Sequence, residues 1–147
     1  GEMDKALAAF NLAIGGATSG MEVTMFFTFW GLNVIKRDHG SIKSKGIMRK
    51  MLNSMNRGGA THLLLSKFHM LGVGKWMMQK LMKDINYPQV NELMTIAKEL
   101  GVIFIACTTS IGMMGISKDS FIAGINSYAG VATYMAIARE SKINLFI

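Results

Sequence analysis

Between Asp4 and Ser19, Leu7, Phe10, Ile14 and Ala17 recur at helical spacing, which predicts a helix with one apolar face. Asp4 stands where an N-cap belongs, and Gly20 where a left-handed residue closes a helix. The following stretch, Glu22 to Trp30, is rich in β-branched and aromatic residues and predicts a buried strand. Patterning then weakens. From Gly31 to about Gly59 the pattern suggests a short helix over Leu32 to Arg37, a loop around His39, Gly40 and Ser41, and a second helix over Ile47 to Asn56.

The second half is more regular. His62 to Leu65 suggests a strand, Gly72 and Gly74 interrupt, and a Met-rich helix follows from Lys75 to about Ile85. Pro88 suits a first helical position, Val90, Leu93, Met94, Ala97 and Leu100 form an apolar stripe, and Gly101 supplies the stop. Val102 to Cys107 is a continuous apolar run, as in a parallel strand covered on both faces. A helix from about Ser127 to Ser141 and a strand from Ile143 to Ile147 complete the reading. Helix and strand alternate, so an α/β domain with a mainly parallel sheet is expected, 1–147 forming a single domain. The chain opens on a helix, leaving the sheet without an N-terminal strand.

Composition agrees with one globular domain: 147 residues, half of them apolar and 17% charged. The most apolar run, Met21 to Ile35, is broken by Glu22, Thr24, Thr28, Gly31 and Asn33 and falls short of a membrane span. Gly1-Glu2-Met3-Asp4 lacks the basic and apolar regions of a signal peptide. With one unpaired thiol, Cys107, a cytoplasmic location is the expectation. The net charge of +7 is local, because residues 36–57 sum to +6 and residues 85–147 to zero. Lys36, Arg37, Lys43, Lys45, Arg49, Lys50 and Arg57 would attract phosphate, an acidic protein or an anionic membrane surface, or simply form a solvated face. Peripheral membrane association therefore stays open.

Cys107 ends its predicted strand, where open α/β sheets collect reactive groups. A short helix begun by Thr109, Ser110 and Ile111 would turn its free amides toward the sulfur and favour the thiolate. The competing reading is an inert core thiol. His39, His62 and His69 lack zinc spacing, and one cysteine cannot anchor a thiolate zinc site, so no metal is assigned. Gly72-Val73-Gly74-Lys75 is not a P-loop, and no nucleotide cofactor is implied. Met70, Met77, Met78, Met82, Met113 and Met114 are read as core filling. Phe26, Phe27, Phe29 and Trp30 are read as packing, with oligomerisation second. They lack the interleaved basic residues of a nucleic-acid groove, which argues against nucleic acid as a partner.

Several segments together resemble one family: Asp4-Lys5-Ala6-Leu7-Ala8-Ala9-Phe10, Gly20 through Leu32 with its Phe26-Phe27-Thr28-Phe29-Trp30-Gly31 run, Leu65-Ser66-Lys67, and Ala97 through Val102. Cys107 with Ser110, Met114 and Gly115, then Gly130-Val131-Ala132-Thr133 and Leu145-Phe146-Ile147, extend the likeness over nearly the whole chain. This pattern is similar to the DsrE/DsrF-like sulfur-relay superfamily, in a branch often labelled peroxiredoxin-family. The resemblance implies a flavodoxin-like, three-layer α/β fold, homo-oligomers, and sulfane sulfur carried as a persulfide on the residue matching Cys107. Thr108, Thr109 and Ser110 would stabilise the anionic sulfur, and TusA-like or rhodanese-like proteins would be the partners. Members commonly carry a strand, normally central, ahead of the Asp-Lys-Ala-Leu segment, which is therefore expected to be missing here. Peroxidase chemistry is not implied, since a resolving cysteine is lacking.

Overall fold

The computed structural model describes residues 1–38, 47–48, 51, 58–67 and 70–147. In chain order these form helix α1 (Met3–Thr18), strand β1 (Thr24–Phe27), a 3-10 helix (Phe29–Asn33), α2 (Val73–Asp84), α3 (Val90–Glu99), β2 (Ile103–Cys107), α4 (Thr108–Met114), β3 (Ser127–Ala129) and α5 (Val131–Glu140). The strands make a parallel sheet in the order β1-β2-β3. Helices flank it, giving the mixed α/β architecture of a flavodoxin-like domain.

Alternation along the strands separates two faces of the sheet. Phe27 and Phe104 point to one, where their rings meet edge-on at 5.3 Å and Phe10 of α1 packs on both. Here α1 contributes Met3, Ala6, Phe10 and Ala13, and α3 contributes Val90, Leu93, Met94 and Ala97, all buried. Small residues at Ala6, Ala13 and Ala97 let the two helices lie close together over the sheet. The opposite face carries Phe26, Ile105 and Cys107. Tyr134 of α5 covers Phe26 at 5.2 Å, so α5 forms the third layer, although none of its residues is buried.

Helices α1 and α3 stop where a residue must take positive φ without a Cβ penalty: Gly20 (φ 80) and Gly101 (φ 81). The residues ahead of α1 and α3 differ from expectation. Asp4 lies inside α1, whose N-cap is Glu2, and Pro88 precedes the N-cap Gln89 instead of opening the helix. Glu92 Oε2 accepts the Gln89 N–H at 2.7 Å, which closes the first turn of α3 and leaves Pro88 outside.

Several expected elements are shorter or different. The first strand ends at Phe27, because Phe29 (φ 44) turns the chain into the 3-10 helix; Phe29 and Trp30 are about half exposed, so only Phe27 joins the core. Of the expected helix from Leu32 to Arg37, Leu32 and Asn33 close the 3-10 helix, and a turn and an antiparallel bridge, Lys36 to Phe121, replace the rest. His62 to Leu65 makes a single parallel bridge, Leu64 to Glu2. Residues 127–129 are a strand and not the start of a helix, since Asn126 clips this segment to β2: its N–H meets the Phe104 carbonyl and its Oδ1 accepts the Phe104 N–H. Ile143 to Ile147 is irregular and exposed where a strand was expected. Among the clustered methionines, Met82 and Met114 are buried, whereas Met70, Met77, Met78 and Met113 are exposed. Ile47, Met48 and Met51 are helical; the expected loop at His39, Gly40 and Ser41 and the rest of the expected helix lie outside the described residues. No helix among the described residues is long and apolar enough to cross a membrane.

Candidate functional site

Parallel pairing brings the carboxyl ends of β1 and β2 together. The last paired residues are Phe27 and Ala106. One step further, Thr28 stands beside Cys107, on the face that Phe26 and Ile105 share. Cys107 ends β2 and serves as N-cap of α4, so the helix begins directly at the sulfur-bearing residue. The residue is 4% exposed.

The groups that favour its charged form are the amide and the hydroxyl of Ser110, the hydroxyl of Thr28 and the amide of Thr109. Ser110 is itself buried, and its Oγ lies 2.8 Å from Thr28 Oγ1. Burial pushes the Cys107 thiol up, but the Ser110 amide and hydroxyl, the Thr28 hydroxyl and the Thr109 amide together bring it below the ordinary cysteine value. The thiolate is favoured by hydrogen bonding to its charged form, without a histidine in contact among the described residues.

The three positions after the cysteine play different structural parts. Ser110 turns amide and hydroxyl inward, Thr109 gives its amide while its side chain is exposed, and Thr108 is exposed, with its Oγ1 directed at the start of α5 beside Gly130. Thr28 was not among the residues singled out from sequence. Its signal was nonetheless present: a polar residue closing an apolar strand, in step with Phe26 and so on the cysteine's face once the two strands pair.

The basic stretch does not present a continuous surface among the described residues. Lys36 is buried, its aliphatic stem lying on Gly58, so it is not part of an exposed basic face. Arg37 is exposed and donates Nε–H to the Phe121 carbonyl at 2.8 Å. Lys43, Lys45, Arg49, Lys50 and Arg57 lie outside the described residues, as do His39 and His69. His62 Nδ1 sits 3.5 Å from Asp38 Oδ1 and 3.1 Å from Thr61 Oγ1. Among the described residues no three His, Cys, Asp or Glu side chains converge on a point where a metal could bind. A cleft of about 310 Å³ opens at the other end of the sheet, lined by Ala17, Met21, Val23 and Leu100 among others. It offers one ionisable side chain, Glu22, and lies at the amino ends of the strands, away from Cys107.

Cys107 thus stands at the carboxyl edge of the parallel sheet with its thiol below the ordinary cysteine value. The comparisons with other proteins agree along the whole chain. The profile of the DsrE/DsrF/DrsH-like family matches residues 1–146. The uncharacterized protein YrkE of Bacillus subtilis (strain 168) is 39% identical over 147 residues, covering 100% of this chain and 91% of that protein. The sulfur carrier protein DsrE2 of Allochromatium vinosum is 32% identical over 151 residues, covering 100% of this chain and 92% of that protein. With a match of that extent, and a fold in keeping with it, the chain belongs to the DsrE/DsrF/DrsH-like family.

Proposed function

We propose that this protein carries sulfane sulfur on Cys107 and passes it to an acceptor thiol. The observation that supports this most directly is the place of Cys107 at the carboxyl end of β2 and the start of α4, beside the bonded hydroxyls of Thr28 and Ser110, where its thiol is held below the ordinary cysteine value and the nucleophilic thiolate is favoured. Kinship with a protein named a sulfur carrier supplies the class of chemistry.

The Cys107 thiolate attacks the outer sulfur of a donor persulfide. A new S–S bond forms on Cys107, the donor's own S–S bond breaks, and the donor leaves as a thiolate. With a thiosulfonate donor the leaving group is a sulfinate, or sulfite when the donor is thiosulfate. The outer sulfur keeps its oxidation state, so no oxidant or reductant is consumed. In the second half, an acceptor thiolate attacks that outer sulfur and Cys107 leaves as the thiolate. Holding one sulfur at a time makes the protein a carrier first and a sulfurtransferase in effect.

TusA-like or rhodanese-like proteins are the relay partners in this reading, and a reducing cytoplasm is the compartment that keeps the lone thiol free. The exposed apolar side chains of α5 and the chain end, among them Val131, Met135 and Phe146, support assembly into a homo-oligomer, which the molar mass in solution tests.

Intact mass after incubation with polysulfide or thiosulfonate, with and without reductant, tests the carrier function. The parent is expected to gain about one sulfur, ~32 Da, lost again on reduction, and Cys107→Ser to gain nothing. A folded parent that takes up no sulfur sinks the reading and redirects attention to docking of an anionic partner by the basic stretch.

A further inference from the structure

Two hydroxyls, not one, stand at the Cys107 sulfur, and they are bonded to each other. Thr28 Oγ1 and Ser110 Oγ are 2.8 Å apart although 82 residues separate them in sequence. A hydroxyl has one proton to donate and can accept two. The short oxygen-to-oxygen contact uses one of the pair's two protons, and the other is left for the sulfur that both oxygens face. Ser110 is 1% exposed, so its hydroxyl has no water to turn to. If Thr28 were apolar, the Ser110 oxygen would lose its partner and its proton would be free to rotate away from sulfur, toward a helical carbonyl of the preceding turn.

We infer that Thr28 is a positioning residue of the Cys107 site: its hydroxyl, delivered by the end of β1, fixes the Ser110 hydroxyl so that one proton of the pair is always directed at the sulfur. The arrangement ties thiolate stabilisation to the pairing of β1 with β2, because Thr28 reaches Ser110 only while Phe27 is in register with Ala106. This assignment rests on the proposed role of Cys107 as the sulfur-carrying nucleophile, but its test does not use sulfur.

The experiment is the pH dependence of Cys107 alkylation by iodoacetamide in the full chain, for the parent, Thr28→Val and Thr28→Ser, with circular dichroism and thermal melting as folding controls. Valine keeps the β-branched shape and removes the hydroxyl; serine keeps the hydroxyl and removes the methyl. Thr28→Val is expected to move the midpoint of the profile to higher pH and to slow alkylation about two- to tenfold at pH values below both midpoints, the effect of one lost hydrogen bond to a charged group. Thr28→Ser is expected to retain the parent midpoint. An unchanged midpoint in Thr28→Val overturns the inference. So does an equal shift in both variants, since that would trace the effect to the methyl group. If Thr28→Val is too unstable to assay, a shifted midpoint in folded Thr28→Ser likewise counts against it, and a parent-like midpoint supports the hydroxyl as the group that matters. Polysulfide loading of the parent, followed by mass, is run beside it. A parent that takes up no sulfur removes the carrier reading alone, while the alkylation profiles still decide the role of Thr28.

Discussion

Asp4, in the first turn of α1, accepts both the backbone N–H of Ser66, at 3.0 Å, and the Ser66 hydroxyl. The pair closes a 62-residue separation and anchors the segment that runs beside the start of the helix, where Met3 N–H also meets the Leu64 carbonyl. Asp4 therefore acts between segments, and the N-cap expected of it falls to Glu2.

Partial burial pushes the Asp4 carboxyl up, but the Ser66 hydroxyl and amide bring it below its ordinary value. The folded chain thus holds this proton less tightly than the unfolded chain. The stabilisation is complete above the ordinary Asp range and is lost as pH falls through the folded value. Asp4→Ala is expected to cost about 0.5–1 kcal/mol at neutral pH, small because the pair is open to solvent. Its cost should shrink as pH falls below the ordinary Asp value toward the lowered one, a convergence that urea unfolding at several pH values checks.

Phe104 is fully buried between Phe10 and Phe27, at 5.9 and 5.3 Å between ring centroids. Phe104→Ala is expected to destabilise the domain by about 3–5 kcal/mol, as the ring joins α1 and both strands and its loss leaves a cavity between layers. Phe104→Leu should cost less than half as much. Denaturant midpoints for the two variants give the comparison; similar small losses in both would mean that the layer collapses to fill the space.

How much of this was legible in the sequence follows from where side chains, and where distant partners, decide structure. The stripe Val90, Leu93, Met94 and Ala97 and the run ending in Cys107 gave α3 and β2 nearly to the residue, because burial on one face or both leaves its period in the chain. β3 left no such trace. Three residues are too few to show a period, and the clip that makes them a strand is Asn126 reaching the backbone of Phe104, 22 residues away. The exposed tail at Ile143 to Ile147, outside the sheet, shows the converse: β-forming residues do not make a strand by propensity alone. Cys107 could be picked out by position, and Ser110 by its place after it. Thr28 needed the register between β1 and β2, which no local pattern contains.

Lys36 marks another limit of pattern reading. It sits in a basic stretch, yet it is 8% exposed, and burial lowers its pKa. The unfolded chain holds this proton to higher pH than the folded chain does. Stability should therefore rise with pH across the window between the lowered value and the ordinary lysine value. Lys36→Met keeps the volume and removes the charge. It is expected to be neutral or stabilising by up to about 1 kcal/mol at pH 7 and to abolish that alkaline rise. Thermal melting from pH 7 to 10 reads both effects, and a melting temperature that drops in the variant at pH 7 would mean that the amine has a favourable partner.

Ser110→Ala separates the two contributions that this residue makes to the sulfur. Alanine removes the hydroxyl but keeps the amide, which lowers the Cys107 pKa more than the hydroxyl does. The site should therefore weaken without being lost. The thiol midpoint is expected to rise, and alkylation below it to slow by about three- to tenfold, while the thiolate stays better stabilised than in the unfolded chain through the Ser110 and Thr109 amides. Little cavity forms when one buried oxygen is removed, but the Thr28 hydroxyl loses its partner, so a stability loss of about 1 kcal/mol should accompany the shift. A midpoint unchanged from the parent, in a variant that melts normally, would assign the activation of Cys107 to the backbone of α4 alone.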